Sequence, residues 1–267
     1  MQSIYKEFDN NSIMYTWFEA MHTRVDIVFC NKDENELKKL ALLIQEELQR
    51  IEKIGNRFDP DSELRRVNRL ASVKPLKISQ ELFNIISECL NYYEITLHCF
   101  DITINSDNYK KSLVPDVEID IVKSEIYFKN KDIKLDLNGY LKGYALDRIK
   151  DILKQTDIDD AFVNLGNSSI YARGNQPNGT GWKIGINDNS PVPILCNECL
   201  TTSGNETKER KHIKSPETGI FIEGKKSISV ITQEGSIGEI LSTALFVASK
   251  EKREQILKMF PVNCKIL

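Results

Sequence analysis

The amino-acid sequence predicts an α+β fold with mostly antiparallel strand pairing. Segments that alternate apolar and polar residues and segments with helical apolar spacing follow one another irregularly, not as a strict strand–helix repeat. With 267 residues and 40% hydrophobic composition, the chain can bury a large core. No internal repeat, low-complexity tract or linker divides it. The expected organisation is a single domain over residues 1–267, folded as one body or as two intertwined lobes.

Val25 to Phe29 alternates as a strand and leads into Asn35 to Phe58, where Leu37, Leu40, Ile44, Leu48, Ile51 and Ile54 recur at helical spacing. Ser79 is placed to N-cap a second helix running to about Leu97, with Leu82, Ile85, Ile86 and Leu90 inward. Glu125 to Phe128 leads through the turn signal Lys129-Asn130-Lys131 into Ile133, Leu135 and Leu137, an alternation that predicts a half-buried strand. Tyr144, Leu146, Ile149 and Leu153 predict a helix over Tyr140 to Gln155. Further strands are expected at Ala161 to Leu165, Ser169 to Arg173, Trp182 to Ile186, Ile194 to Leu200 and Lys226 to Ile231. Helices are expected at Ser236 to Ala248 and Glu251 to Met259.

A net charge of −3, with acids and bases interspersed, gives no broad basic field, which argues against a nucleic-acid partner. The cluster Lys208, Arg210, Lys211 and Lys214 reads as a solvated loop bordering the candidate site. No apolar run is long enough to span a bilayer, and the polar start MQSIYKEFDN lacks the pattern of a signal peptide. A cytoplasmic protein is expected. The 6 cysteines are scattered. Cys196 and Cys199 form a lone C-x-x-C, read as two thiols on a buried strand because no second histidine follows His212 at zinc-finger spacing.

Three groups carry chemistry. Lys142 and Gly143, after the alternating run and at the opening of a helical pattern, form a strand–turn–helix start, either ordinary connection or an anion site where free N–H groups and the helix dipole converge. Glu239 and Thr243 stand at i and i+4 on one helix face. Two hard oxygens there suit Mg²⁺; the alternative is a solvated Glu and a Thr bonded back to its own helix. His212, in HIKSPETG, is a loop imidazole able to accept a hydroxyl proton, or a surface histidine. His22 and His98 lie in amphipathic stretches without polar companions.

Taken in order, DLNGYLKGYALDR, AFVNLG, TTSGN, HIKSPETG and GEILSTAL resemble the FAD:protein FMN transferase family, also called ApbE-like proteins. Met21-His22-Thr23, Asp61-Ser62-Glu63-Leu64 with Asn68, and Phe100-Asp101-Ile102-Thr103 are similar to its N-terminal motifs, so the resemblance runs from about Tyr15 to about Ser249. It implies the ApbE-like fold, with a cleft between two intertwined lobes. It also implies a reaction in which FAD is split at its pyrophosphate with Mg²⁺, FMN is joined to a Thr or Ser of an acceptor protein bearing a flavinylation motif, and AMP leaves. By that resemblance Glu239, Thr243 and the backbone carbonyl of Leu141 hold Mg²⁺, His212 is the base, and Lys142 assists at the phosphate. Met21, Thr23, Glu63, Asp101, Thr103, Asn164, Thr202, Ser203 and Gly204 are its implied flavin-nucleotide contacts. Many members of the family are exported lipoproteins.

The chain departs from the family pattern at Glu239 (for Asp), Ser215 (for Asp), Lys211 (for a second His) and His22 (for Gly), and at Asn167 and Asn138, each replacing one glycine of a pair. Asn205 to Lys208 replace an aromatic and an Arg, and Asn105 to Val122 replaces a longer insert that helps close the cleft. Two other outcomes therefore stand beside transfer: a flavin-binding protein without transferase activity, and an FAD pyrophosphatase that passes FMN to water. The acceptor motif has no match in this chain, so self-modification is not expected.

Overall fold

The computed structural model describes residues 1–8, 11–185, 192–205, 212–224, 226–260 and 265–266. Strands β1 (Gln2–Phe8), β2 (Asn11–Ala20) and β3 (Thr23–Cys30) are followed by helices α1 (Glu34–Gly55) and α2 (Glu63–Leu70), strand β4 (Leu76–Lys77) and helix α3 (Gln80–Ile95). A 3-10 turn at Val114–Asp116, β5 (Val117–Asp120) and β6 (Glu125–Phe128) lead to α4 (Asn138–Lys154). Then come β7 (Ala161–Leu165), β8 (Ser169–Arg173), β9 (Trp182–Lys183), β10 (Ile194–Leu195), β11 (Glu198–Asn205), β12 (Lys226–Thr232), α5 (Gly235–Val247), α6 (Lys250–Met259) and β13 (Lys265–Ile266).

An eight-stranded sheet in the order β1-β2-β3-β7-β8-β11-β12-β13 organises the chain. Every neighbouring pair in it is antiparallel. A smaller sheet runs β4-β6-β5, and β9 pairs with β10. Strand periodicity assigns each face: in β8, Tyr171 joins the main core, whereas Ile170 and Ala172 join a second cluster with Trp182, Ile184 and Leu195 across the sheet. The main core collects α1 (Leu37, Ile44, Leu48, Ile51), α3 (Leu82, Ile86), α4 (Leu146, Ile149) and α5 (Ile240, Leu241, Leu245) over Val25, Ile27 and Val163.

Local chemistry fixes the helix starts. Asp33 caps α1 through the Asn35 and Glu36 N–H groups, and Ser79 caps α3 by accepting from Leu82 N. Glu63 accepts from both the backbone N and the hydroxyl of Ser79, at 2.7 and 2.6 Å, so α2 braces the start of α3. At the N-terminus of α5, the Asp147 carboxylate of α4 accepts from Gly235 N and Ser236 N at 2.7 and 2.9 Å. Negative charge on otherwise free N–H groups locks the two helices in register.

The structure differs from several sequence expectations. The run Ile133, Leu135, Leu137 is fully buried but is not a strand. Its backbone is taken up by side chains and loops: Leu135 N donates to Asn68 Oδ1 at 2.7 Å, Asn68 Nδ2 donates to Leu135 O at 2.9 Å, and Asp136 N donates to Ile102 O at 2.7 Å. Helix α4 starts at Asn138, which places Lys142 and Gly143 inside it rather than at its start. The strand expected over Ile194 to Leu200 breaks at Cys196 and Asn197, where Asn197 takes φ 58°. Cys196 is consequently exposed and off the strand, with only Cys199 buried on β11. The strand expected over Trp182 to Ile186 is formed at Trp182–Lys183, and Ile186 lies outside the described residues. Both remaining histidines have polar companions: His22 Nε2 lies 2.8 Å from Asn56 Nδ2 and His98 Nε2 lies 3.2 Å from Glu94 Oε2. The β1–β2 pairing and α2 were not anticipated.

Asn68→Ala is expected to lower stability by about 2–4 kcal/mol, because a buried donor and acceptor of residue 135 both lose their partner. Urea unfolding checks this, and a loss below about 1 kcal/mol would mean that water replaces the amide.

Candidate active site

Helices α4 and α5 cross where neither has a side chain in the way. A Cβ on Gly143 would lie 2.1 Å from Gly235 O, and one on Gly235 would lie 2.6 Å from Gly143 O. Gly139, one turn earlier, leaves its nearest α5 atom, Thr243 Oγ1, at 3.7 Å from the same ideal position, and Gly143 meets Glu239 Cγ. Glycines spaced four apart on α4 thus face a carboxylate and a hydroxyl spaced four apart on α5.

Glu239 is 4% exposed, not solvated. Its Oε1 accepts from Ser169 Oγ at the start of β8, and the neighbouring Ser168 Oγ accepts from Lys142 Nζ. Burial pushes the Glu239 carboxyl above the usual carboxylate range, with Lys142 and the Ser169 hydroxyl opposing that rise. Thr243 Oγ1 lies 3.0 Å from Ser203 Oγ of β11, which also meets Ser242 Oγ at 2.9 Å. Two α5 oxygens are thereby pinned to two strands.

They stand on a cavity of about 1440 Å³ lined by residues from both halves of the chain. That exceeds the usual span of small-molecule pockets and accommodates an extended dinucleotide. Among the expected site residues, Lys142, Asp101, Thr202, Ser203, Gly204, His212, Glu239 and Thr243 line it. His212 comes from the turn 212–219, closed by Gly219 N to Ser215 O at 2.7 Å and Ile222 N to Ile213 O at 2.9 Å. Lys214 of the basic cluster lines the cavity, while Lys208, Arg210 and Lys211 lie outside the described residues, as do Glu206 and Thr207.

Other expected residues are placed behind the lining. Met21 and His22 take φ 54° and 57°, a tight β2–β3 turn whose positive φ suits the glycine that the family has at His22. Thr23 presses on Gly166, where φ is 64° and a Cβ would fall 2.1 Å from Thr23 Oγ1. Asn164 Oδ1 accepts from Asn167 N at 2.8 Å, shaping the turn that presents Gly166, Asn167 and Ser168 to the cavity. Thr103 donates to Asp101 Oδ1 from both its N and its Oγ1, at 2.6 Å each. Glu63 is engaged with Ser79. Leu141 packs its side chain against Gly55 and does not line the cavity.

Sequence reasoning missed Ser168 and Ser169, although they directly follow the Gly166-Asn167 turn. It also missed a polar chain across the cavity wall. Arg57 Nε faces Asp136 Oδ2 at 3.5 Å, Asn105 Nδ2 donates to Asp136 Oδ2 at 2.7 Å, and Lys214 Nζ donates to Asn105 Oδ1 at 2.9 Å. Among the described residues, no group of three or more His, Cys, Asp or Glu side chains gathers as a metal site. No helix there is long and apolar enough to cross a membrane.

Fold and site together define an α+β protein with a cleft whose cations, Lys142, Lys214, Lys226 and Arg57, suit an anionic ligand of dinucleotide size. The ApbE family model matches residues 21–266, and the chain belongs to the ApbE family. The FAD:protein FMN transferase of Chlamydia muridarum is 26% identical over 243 residues, covering 79% of this chain and 76% of the relative. The enzyme of that name from Escherichia coli (strain K12) is 23% identical over 266 residues, 85% of this chain and 76% of the relative. Among solved structures, the flavin transferase ApbE from Vibrio cholerae superposes with TM-score 0.82 at 19% identity, covering 96% of this chain and 93% of that one. The ApbE protein from Thermotoga maritima gives 0.80 at 24%, covering 94% and 92%. The expected α+β, ApbE-like fold is the fold observed.

Proposed function

We propose that this chain transfers FMN from FAD to a Ser or Thr hydroxyl of an acceptor protein, releasing AMP, with Mg²⁺ bound at Glu239 and Thr243. The observation that carries the reading is the buried Glu239 carboxylate, held with Thr243 on the wall of one cavity that also takes Lys142 and His212. The residues fit the ion: a carboxylate deprived of water and a hydroxyl are hard oxygens, and Mg²⁺ needs few protein ligands. When bound, the ion would offset negative charge on the pyrophosphate and its leaving oxygen.

The chain's own groups divide the remaining work. Lys142, steadied by Ser168, supplies positive charge to the phosphates, and the Gly166–Ser168 turn, Thr202, Ser203 and Gly204 shape the bed on which they lie. His212 takes the proton of the acceptor hydroxyl as its oxygen bonds to the FMN phosphorus and the bond to the AMP phosphate oxygen breaks. Asp101 and Lys214 line the same cavity.

The test is incubation with FAD, Mg²⁺ and an acceptor protein bearing the flavinylation motif, followed by intact mass and AMP detection. Acceptor mass gain with stoichiometric AMP is expected. AMP with free FMN and no mass gain would identify a pyrophosphatase, and unchanged bound FAD a binding protein. His212→Ala is expected to cut transfer by about a hundredfold or more while FAD affinity stays within a few-fold; transfer at the parental rate would remove His212 from the mechanism.

A further inference from the structure

The turn that carries His212 is held from outside by a segment with no catalytic assignment. Tyr109 Oη lies 2.8 Å from the Pro216 carbonyl and 2.9 Å from Asp101 Oδ2, so one phenol joins the cavity wall to the histidine turn. Its ring fills the space above Gly219, which has φ 69° and where a Cβ would fall 2.9 Å from Tyr109 Cδ1. Burial and the Asp101 carboxylate push the phenol well above its ordinary range, which keeps it a hydrogen-bond donor. Four residues earlier, Asn105 Oδ1 accepts from Lys214 Nζ while its amide is anchored on Asp136 Oδ2. Asp136 in turn accepts from Asn138 N at the start of α4, at 2.9 Å.

Both ties come from residues 105–109, within the stretch where this chain replaces the family's longer insert. They grip the turn at Lys214 and Pro216, on either side of Ser215, where the family pattern has Asp. Where an imidazole on a loop stands depends on how the backbone of that loop is held.

We infer that Tyr109, with Asn105 beside it, is a positioning residue for His212: the 105–109 segment clamps the histidine turn against Asp101 and Asp136 and sets where the imidazole stands in the cavity. The kinetic consequence rests on the transferase reading, whereas the clamp itself does not.

The chain has 3 histidines, so imidazole spectra of protein labelled with ¹⁵N-histidine resolve each ring, and His212→Ala assigns the relevant one. Tyr109→Phe keeps the ring over Gly219 and removes only the hydroxyl. It is expected to shift or broaden the His212 signals and leave those of His22 and His98 in place. Asn105→Ala, which severs the second tie, should move the same signals by a smaller amount. In the transfer assay Tyr109→Phe should lower kcat by about tenfold with the KM for FAD unchanged, and should add no further loss in a His212→Ala background. His212 signals unmoved by both variants would overturn the clamp, as would losses that multiply in the double variant. If the parent chain flavinylates no acceptor, the transferase reading falls and the imidazole spectra alone decide the clamp.

Discussion

Glu239→Gln is expected to abolish the Mg²⁺ response and to lower transfer by roughly a hundredfold or more, the scale on which a lost charge-stabilising contact is felt. The amide keeps the shape and a hydrogen bond to Ser169 but removes the negative charge, so a structural role alone would leave the variant active. Glu239→Asp, the family's residue, should retain Mg²⁺ dependence at reduced rate. A pH signature accompanies this. Burial raises the folded-state carboxyl pKa above its unfolded value, so the protonated form stabilises the fold fully below the ordinary carboxylate pKa. That contribution is lost as pH rises through the folded value. A cation favours the ionised form, so the melting-temperature increase caused by Mg²⁺ should grow from mildly acidic to neutral pH. Equal shifts at both pH values, or a parental Mg²⁺ titration in the Gln variant, would falsify the assignment.

Gly143→Ala should damage both stability and activity. The added carbon meets a backbone carbonyl of α5, not a movable side-chain tip, and Asp147 prevents the helices from separating without losing the α5 cap. A loss of about 2–3 kcal/mol, seen as a melting-temperature drop of about 5–10 °C, is expected. Activity should fall further than stability accounts for, since Glu239 Cγ is the next atom displaced. A melting temperature within about 2 °C of the parent would show that the crossing can widen at little cost.

Apolar spacing located α1, α3 and β7 closely, because each buries one stripe or face, and α5, α6 and β8 also lie near where it placed them. It failed at Ile133 to Leu137 for a definite reason: alternation reports which side chains are buried and says nothing about what accepts the backbone hydrogen bonds. Here Asn68, distant in sequence, does so. Strand β1 is mostly exposed, with Ile4 at 50% and Phe8 at 56%, so no burial pattern marked it. At the site, the contiguous motifs pointed to Lys142, His212, Glu239 and Thr243, which line one cavity, and also to Thr23, Glu63, Thr103 and Asn164, which do not. Arg57, Asn105 and Tyr109 were not legible, since each acts on a partner brought near only by tertiary folding.

The order of the large sheet has a consequence for how the protein comes to be made. Strand β3 pairs with β7, Val25 against Leu165, and everything from Asn31 to Asp160 is a detour between the two. Closing so long a detour costs chain entropy before the pairing repays it, which makes this the slow, non-local step of folding. On a ribosome, the β1–β3 meander emerges with its inner edge open until β7 is synthesised, and an open edge is a template for wrong partners. Helix α1, which lays Leu37, Ile44 and Leu48 into the core beside these strands, emerges directly after β3. It is the first element available to shield the nascent sheet.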